Sequence, residues 1–390
     1  MNTSPHRLRH HHHHHGTRSS PQTAAVTVAT PLSEELVNMI AAVRLASKLC
    51  QVVQQQLSAS EHVSKPDDSP VTVADYGAQA IIAWSLARRA GGGDSTFSMI
   101  AEETSEDLRL PESAVMLRRI TELINAVLTS ETGEASALTP HEVLDLIDLG
   151  ASDGGPVGRH FVLDPIDGTR GFVAMRQYAV CLAMLEDGKV VLGTLGCPNL
   201  PTGVITDEDG AAGVMQRSGS SGVGSLFTAM RGAGSFQVPL WDVTAPATAI
   251  TVQDLSSAAD GMAGARYMES FESRHSDHSL AAQVAERVGI VKPPLRMDSQ
   301  VKYGLLARGA ASLFMRYPAA TYREKIWDHA AGVIIVEEAG GKVTDGAGRP
   351  LDFSKGRYLD LGVQQAIIAA SPALHTQMLQ ALAINNGTVE

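Results

Sequence analysis

The stretch Val162–Val173, VLDPIDGTRGFV, constrains the fold more than any other part of the chain. An apolar, strand-like run stops at Asp164, and Asp167 follows three residues later. Two carboxylates this close repel each other, and burying them under a hydrophobic strand is costly unless a positive charge faces them. Pro165 stiffens the turn between them and Gly168 relieves it, so both acids can point into one space. The Ile166 carbonyl is then exposed between the two acids, and Thr169 offers a hydroxyl placed to orient an attacking water. A strand of this kind has to end at a cleft that takes a cation.

Three further acidic stretches share the pattern. SKPDDSPVTVAD holds Asp67, Asp68 and Asp75, SMIAEETSED places Glu102 and Glu103 after an apolar run, and KIWDHAAGVIIVEEAGG puts Asp328 where a helix should begin. Any one alone reads as a helix cap or a solvated loop. Together they are acids at the ends of buried apolar runs, which a divalent cation neutralises best. The donors are all oxygens, with no Cys/His cluster, and this favours magnesium over zinc.

Composition narrows the remaining classes. His10–His15 form an unbroken histidine run that reads as a purification tag, so residues 1–30 are set aside as tag and linker. The rest divides at a soft boundary into an N-terminal α+β subdomain (31–240) and a C-terminal α/β subdomain (241–390). With 44% hydrophobic and 19% charged residues, the composition is that of a globular protein. A net charge of −11 argues against a nucleic-acid-binding face. No apolar run approaches membrane-spanning length, so no membrane contact is expected. The expected compartment is intracellular.

Residues 33–57 read as a long amphipathic helix capped by Ser33, with Leu36, Ile40, Val43, Cys50, Val53 and Leu57 on one face. A second helix is expected over 74–90. The polar, partly helical stretch 104–159 reads as a surface insertion. Asp187-Gly188 signals a two-residue hairpin turn. In that register Cys181 opposes Thr194 and Cys197 opposes Tyr178, so the two thiols sit on opposite faces, too far apart for a disulfide. Cys50 reads as buried filler.

The motifs DPIDGTRGF and WDHAAGVIIVEEAGG, with the upstream Glu-Glu pair, resemble the lithium-sensitive, magnesium-dependent phosphomonoesterases of the inositol monophosphatase superfamily. KPDDSPVTVADYGAQAII, DSQVKYGLLARG and YREKIWDHAAG are most similar to its 3'(2'),5'-bisphosphate nucleotidases, above all the plant type, and the likeness runs from about residue 33 to 375. The resemblance implies a layered α-β-α-β-α sandwich. It implies two or three magnesium ions held by Glu102 (rather than Glu103), Asp164, the Ile166 carbonyl, Asp167 and Asp328. Asp67 and Thr169 are implied to activate the water. Thr169, His275 (with His278 as a rival), Ser299, Lys302 and Arg316 are implied to contact the nucleotide.

The implied reaction is removal of the 3'-phosphate from adenosine 3',5'-bisphosphate, and from 3'-phosphoadenylyl sulfate, by a monomeric, lithium-sensitive enzyme. An inositol polyphosphate 1-phosphatase is the alternative, and a catalytically silent nucleotide sensor a lesser one. Plant relatives suggest a chloroplast or mitochondrial setting, fungal ones the cytoplasm.

Overall fold

The computed structural model describes Met1 and residues 31–56, 62–64, 70–89, 97–205, 222–255, 261–361 and 365–385. Helix α1 (Pro31–Gln55) precedes a short antiparallel pair, β1 (His62–Ser64) and β2 (Pro70–Thr72), and helix α2 (Val73–Arg89) follows. Next come β3 (Met99–Ala101), α3 (Ala114–Thr132), α4 (Pro140–Asp148), β4 (Arg159–Asp167) and the short α5 (Thr169–Val173). Strands β5 (Ala179–Glu186), β6 (Lys189–Pro201), β7 (Val223–Met230), β8 (Gly234–Pro239) and β9 (Thr248–Ala249) complete a seven-stranded sheet in the order β3 to β9. It is antiparallel except where β3 runs parallel to β4.

The remaining chain alternates between strand and helix. It contains β10 (Tyr267–Ser270), α6 (His278–Val288), β11 (Leu295–Met297), α7 (Val301–Ala307), β12 (Leu313–Arg316), α8 (Ala330–Glu338), β13 (Lys342–Asp345), β14 (Ile367–Ala370) and α9 (Pro372–Asn385). Its five strands form a mixed sheet ordered β11–β10–β12–β14–β13.

Side chains alternate across a strand, and here both faces of both sheets are covered. On β5, Val180, Leu182 and Met184 face an outer core shared with α1 to α4, while Ala179, Cys181, Ala183 and Leu185 face a central core. On β12, Phe314 faces that same central core, whereas Leu313 and Met315 face a third core made with α6 and α9. Helices α7 and α8 fill the central layer. Every residue of α7 and the run Ala330–Val336 of α8 are buried, as expected for helices enclosed by sheets on both sides. The result is the α-β-α-β-α sandwich.

Local sequence explains most elements and corrects several expectations. The first helix begins at Pro31, so Ser33 lies inside its first turn instead of capping it. Val43, Cys50 and Val53 are buried as expected, and Leu36 and Ile40 pack at the edge of the same core; Leu57 lies outside the described residues. Leu32–Gln55 is long and apolar enough to cross a membrane. Its leucines and valines give it a mean hydropathy of 1.5, against the expectation that no segment reaches that length and apolarity, yet half of it is buried inside the protein, against α2 and the large sheet.

The stretch 104–159 is no mere insertion. Ile120, Ile124 and Leu128 of α3, with Val143 and Ile147 of α4, recur at helical spacing and enter the outer core. Asp187 and Gly188 form the two-residue turn, at φ +49° and +78°. One residue beyond Leu185↔Val190 the register slips, however, so Cys181 opposes Leu195, not Thr194. That slip puts Cys181 and Cys197 on the same face, in the central core. They are diagonal neighbours, about 7–8 Å apart by strand geometry, and remain free thiols.

The central helix layer leaves no spare room. At Gly332 of α8 a Cβ atom would overlap the Tyr303 ring, and at Gly193 of β6 one would overlap Ile334. Gly332→Ala is therefore expected to destabilise the protein by about 1–3 kcal/mol through overpacking, read as a lower urea midpoint at unchanged slope.

Candidate active site

The acids of the opening motif are brought together by an irregularity in β4. Asp164 pairs with Cys181 and Asp167 with Ala179, so three steps along β4 match two along β5. One extra residue is accommodated, which is a β-bulge. In a regular strand, residues three apart point to opposite faces; the bulge at Pro165–Ile166 turns both carboxylates to one side. Gly168 then takes φ +84°, where a Cβ would press on Ser299 and Asp298.

The other acids arrive from neighbouring segments. Parallel pairing of Ala101 with Leu163 sets Glu102 beside Asp164 at the same end of the sheet. The peptide of Glu103 is clamped by the Gln79 side chain at 2.7 and 3.0 Å, and Glu103 does not line the cavity, which fits the choice of Glu102. Asp328 closes a single 3₁₀ turn just before α8. Carboxylate oxygens of Asp164, Asp167 and Asp328 lie within 4.8 Å of one another.

A cavity of about 340 Å³ opens at this point, between the two sheets. Its wall contains Glu102, Asp164, Ile166, Asp167, Thr169, His275, Ser299, Lys302, Arg316 and Asp328. Sequence reasoning named all ten. Asp67 lies outside the described residues. Asp75, fully buried on α2, does approach Thr169: its Oδ1 lies 3.5 Å from Thr169 Oγ1. His278 Nε2 donates to the Ser270 carbonyl, 2.9 Å away, and does not line the cavity, so of the two rivals His275 is the one on its wall.

The cavity is electrically two-ended. At the acidic end, burial pushes the Asp164 carboxyl well up, and repulsion from Glu102, Asp167 and Asp328 adds to it. Burial and Asp328 push Asp167 up to about 8, against the pull of Lys302. Asp328 is raised by burial and then by Glu102. Among the described residues Asp164 Oδ1 is buried with no hydrogen-bond partner. A buried carboxylate oxygen left bare among like charges suits a hard divalent cation. The donor set fits magnesium.

At the basic end, Lys302 is buried and its Nζ donates to the Met297 carbonyl at 2.8 Å; burial lowers it to about 8. Burial, then Arg316, Arg274, Lys302 and Arg170, hold His275 down to about 4, so it is neutral near pH 7. Ser299 sits at φ +78°, an unusual backbone for a residue with a side chain.

Two sets of supporting residues escaped the sequence reading. Gln300 joins the two ends: its backbone N–H donates to Asp167 Oδ2 at 2.6 Å, and its side chain binds the Trp327 carbonyl and the Gly332 N–H at 2.8 and 2.9 Å. Glu324, 1% exposed, takes Arg316 Nε at 2.5 Å and His329 Nε2 at 2.7 Å, and His329 Nδ1 meets Tyr303 Oη at 2.7 Å. Gln300 is uncharged and stands in no charge-rich stretch, and Glu324, between Arg323 and Lys325, is not set apart from its charged neighbours.

The family model for the inositol monophosphatase family matches residues 34–385. The chain belongs to that family. Among its members, a 3'(2'),5'-bisphosphate nucleotidase of Oryza sativa is 46% identical over 354 residues, covering 90% of this chain and 94% of the rice protein. The 3'(2'),5'-bisphosphate nucleotidase 1 of Arabidopsis thaliana is 48% identical over 300 residues, covering 77% and 82%. The extragenic suppressor protein suhB of Bartonella henselae shares the inositol monophosphatase fold, with a TM-score of 0.54 at 21% identity over 90% of this chain and 98% of that one. The family is metal-dependent, magnesium being typical, and the acidic cluster of this member is a group that could hold a metal ion. This family member is a phosphatase.

The buried Glu324 carries a pH signature. Burial alone would raise its carboxyl, but Arg316 and His329 override this and hold it at about 2, against an ordinary 4.5. A depressed acid stabilises the fold above its unfolded pKa and loses that contribution as pH falls through the folded one. Glu324→Gln should therefore cost on the order of 3 kcal/mol at pH 7. The deficit relative to the parent should shrink as pH falls from about 4.5 toward 2. Paired urea melts across that range test this, and a pH-independent deficit would contradict it.

Proposed function

We propose that this chain is a magnesium-dependent 3'(2'),5'-bisphosphate nucleotidase that hydrolyses adenosine 3',5'-bisphosphate to AMP and phosphate, and acts also on 3'-phosphoadenylyl sulfate. The observation that carries this is the two-ended cavity: one end gathers carboxylates for a metal-bound phosphate, and the other sets Lys302 and Arg316 for a second anion. The rice and Arabidopsis relatives, named as 3'(2'),5'-bisphosphate nucleotidases, support the same substrate class.

Glu102, Asp164, Asp167, Asp328 and the Ile166 carbonyl would hold two or three magnesium ions. When bound, these ions supply charge neutralisation at the phosphate and acidify the attacking water. Thr169 Oγ1 gives its proton toward Asp75 Oδ1 and so turns a lone pair to the water. The pair orients the water and takes up its proton, a general-base role worth about 10²–10⁴-fold. Asp75, fully buried and on a regular helix, is the carboxylate we assign to this role.

At the far end, Lys302 and Arg316 offset the charge of the remaining phosphate, and the Ser299 hydroxyl is presented by its left-handed turn. His275, neutral at working pH, hydrogen-bonds the nucleoside without adding charge.

Phosphate release from adenosine 3',5'-bisphosphate, measured beside inositol 1,4-bisphosphate, tests this reading. Turnover is expected to need magnesium, to stop with EDTA, to fall with lithium and to favour the nucleotide. Faster turnover of the inositol compound, or none of either with magnesium, would sink it. Asp75→Asn and Thr169→Val should lower kcat by about 10²–10⁴-fold with KM little changed. Asp164→Asn should remove magnesium-dependent release altogether.

A further inference from the structure

We infer that Phe271 is the platform on which the base of the substrate stacks, with Arg176 holding the ring in position; this rests on the nucleotidase reading above. Four aromatic side chains line the cavity among the described residues: Phe271, Tyr303, Phe314 and Tyr322. Tyr303 and Phe314 are 1% and 3% exposed and pack edge-to-face at 5.0 Å, so they form its floor and offer no open face. Tyr322 has Arg316 and Lys325 over its ring at 5.5 and 5.9 Å, which ties it to the anion-binding end.

Phe271 differs from these three. It is half-buried, follows Ser270 on the wall that leads to Arg274 and His275, and packs on no other aromatic ring among the described residues. Its ring lies 3.9 Å from the Arg176 guanidinium carbon. Arg176 does not line the cavity, so it backs the ring from outside.

Arg176 is itself fixed. Its Nε meets Asp298 Oδ2 at 2.9 Å, and its Nη2 reaches Asp298 Oδ1 at 3.4 Å and Glu272 Oε1 at 3.5 Å. Two carboxylates cancel its charge, leaving a flat support in place of another anion site. Asp298 immediately precedes Ser299, so the turn that faces the phosphate also anchors the ring. A planar, apolar face set among cations recognises a heterocyclic base joined to phosphates; an inositol has no surface to match it.

The test compares kcat and KM for adenosine 3',5'-bisphosphate and for base-free ribose 3,5-bisphosphate. Phe271→Leu keeps the apolar bulk but loses the plane, and Phe271→Tyr keeps both. Phe271→Leu should lower the ratio of the two kcat/KM values by about 5- to 150-fold, through a higher KM for the nucleotide. Phe271→Tyr should restore it, and Arg176→Gln should lower it in the same direction. A Phe271→Leu enzyme that keeps its ratio, or loses both substrates equally, overturns the proposal. If the parent enzyme prefers inositol 1,4-bisphosphate, the nucleotidase reading itself has failed; if it prefers the nucleotide and the ratio does not move, only the platform has.

Discussion

Mutual repulsion among Asp164, Asp167 and Asp328 is what the surrounding structure has to withstand. With oxygens within 4.8 Å of one another, each ionised pair costs about 3–4 kcal/mol at an effective dielectric near 20. Burial first, and then the charge of neighbouring carboxylates, raises the pKa of all three. Three devices hold the acids in place: the bulge in β4, the parallel pairing of β3 with β4, and the 3₁₀ turn before α8. Each belongs to a different segment. The stiffness of the layered core lets the three oppose the repulsion together.

Much of this was legible in the sequence because the chemistry leaves a mark. Acids at the ends of apolar runs stand out, and the three segments carrying Glu102, Asp164/Asp167 and Asp328 fall into one cavity. The hairpin at Asp187-Gly188 was legible for the same reason, since two successive left-handed residues favour that pair. The layers follow from strands that are apolar on both faces, such as β5, and from a helix that is apolar all round, α8.

What escaped notice depends on spatial relations that leave no local trace. A bulge one residue past the hairpin's second pair moved Cys181 against Leu195, and no propensity in VLGTLGC marks the slip. Asp75 stands in a stretch with three acids in twelve residues, and nothing in the sequence marks it as one that α2 buries beside Thr169. Gln300 binds Asp167, Trp327 and Gly332, all far from it in sequence, while Glu324 meets Arg316 and His329, eight and five residues away, at no regular helix or strand spacing. The apolar face of α3 was read as surface because its polar residues outnumber the few that reach the core.

Gln300 has a consequence for how the cavity measures what enters it. Its three hydrogen bonds run to Asp167 on β4, to the Trp327 carbonyl beside Asp328, and to the first turn of α8, while its chain neighbours are Ser299 and, two residues on, Lys302. Sliding one wall past the other would break all three, at about 0.5–1.5 kcal/mol each and more for the bond to the carboxylate. The distance from the acidic end to the basic end is thereby held constant. On the proposed reading, the cleft would act as a ruler, favouring an ester whose two anionic groups span the length that Gln300 braces.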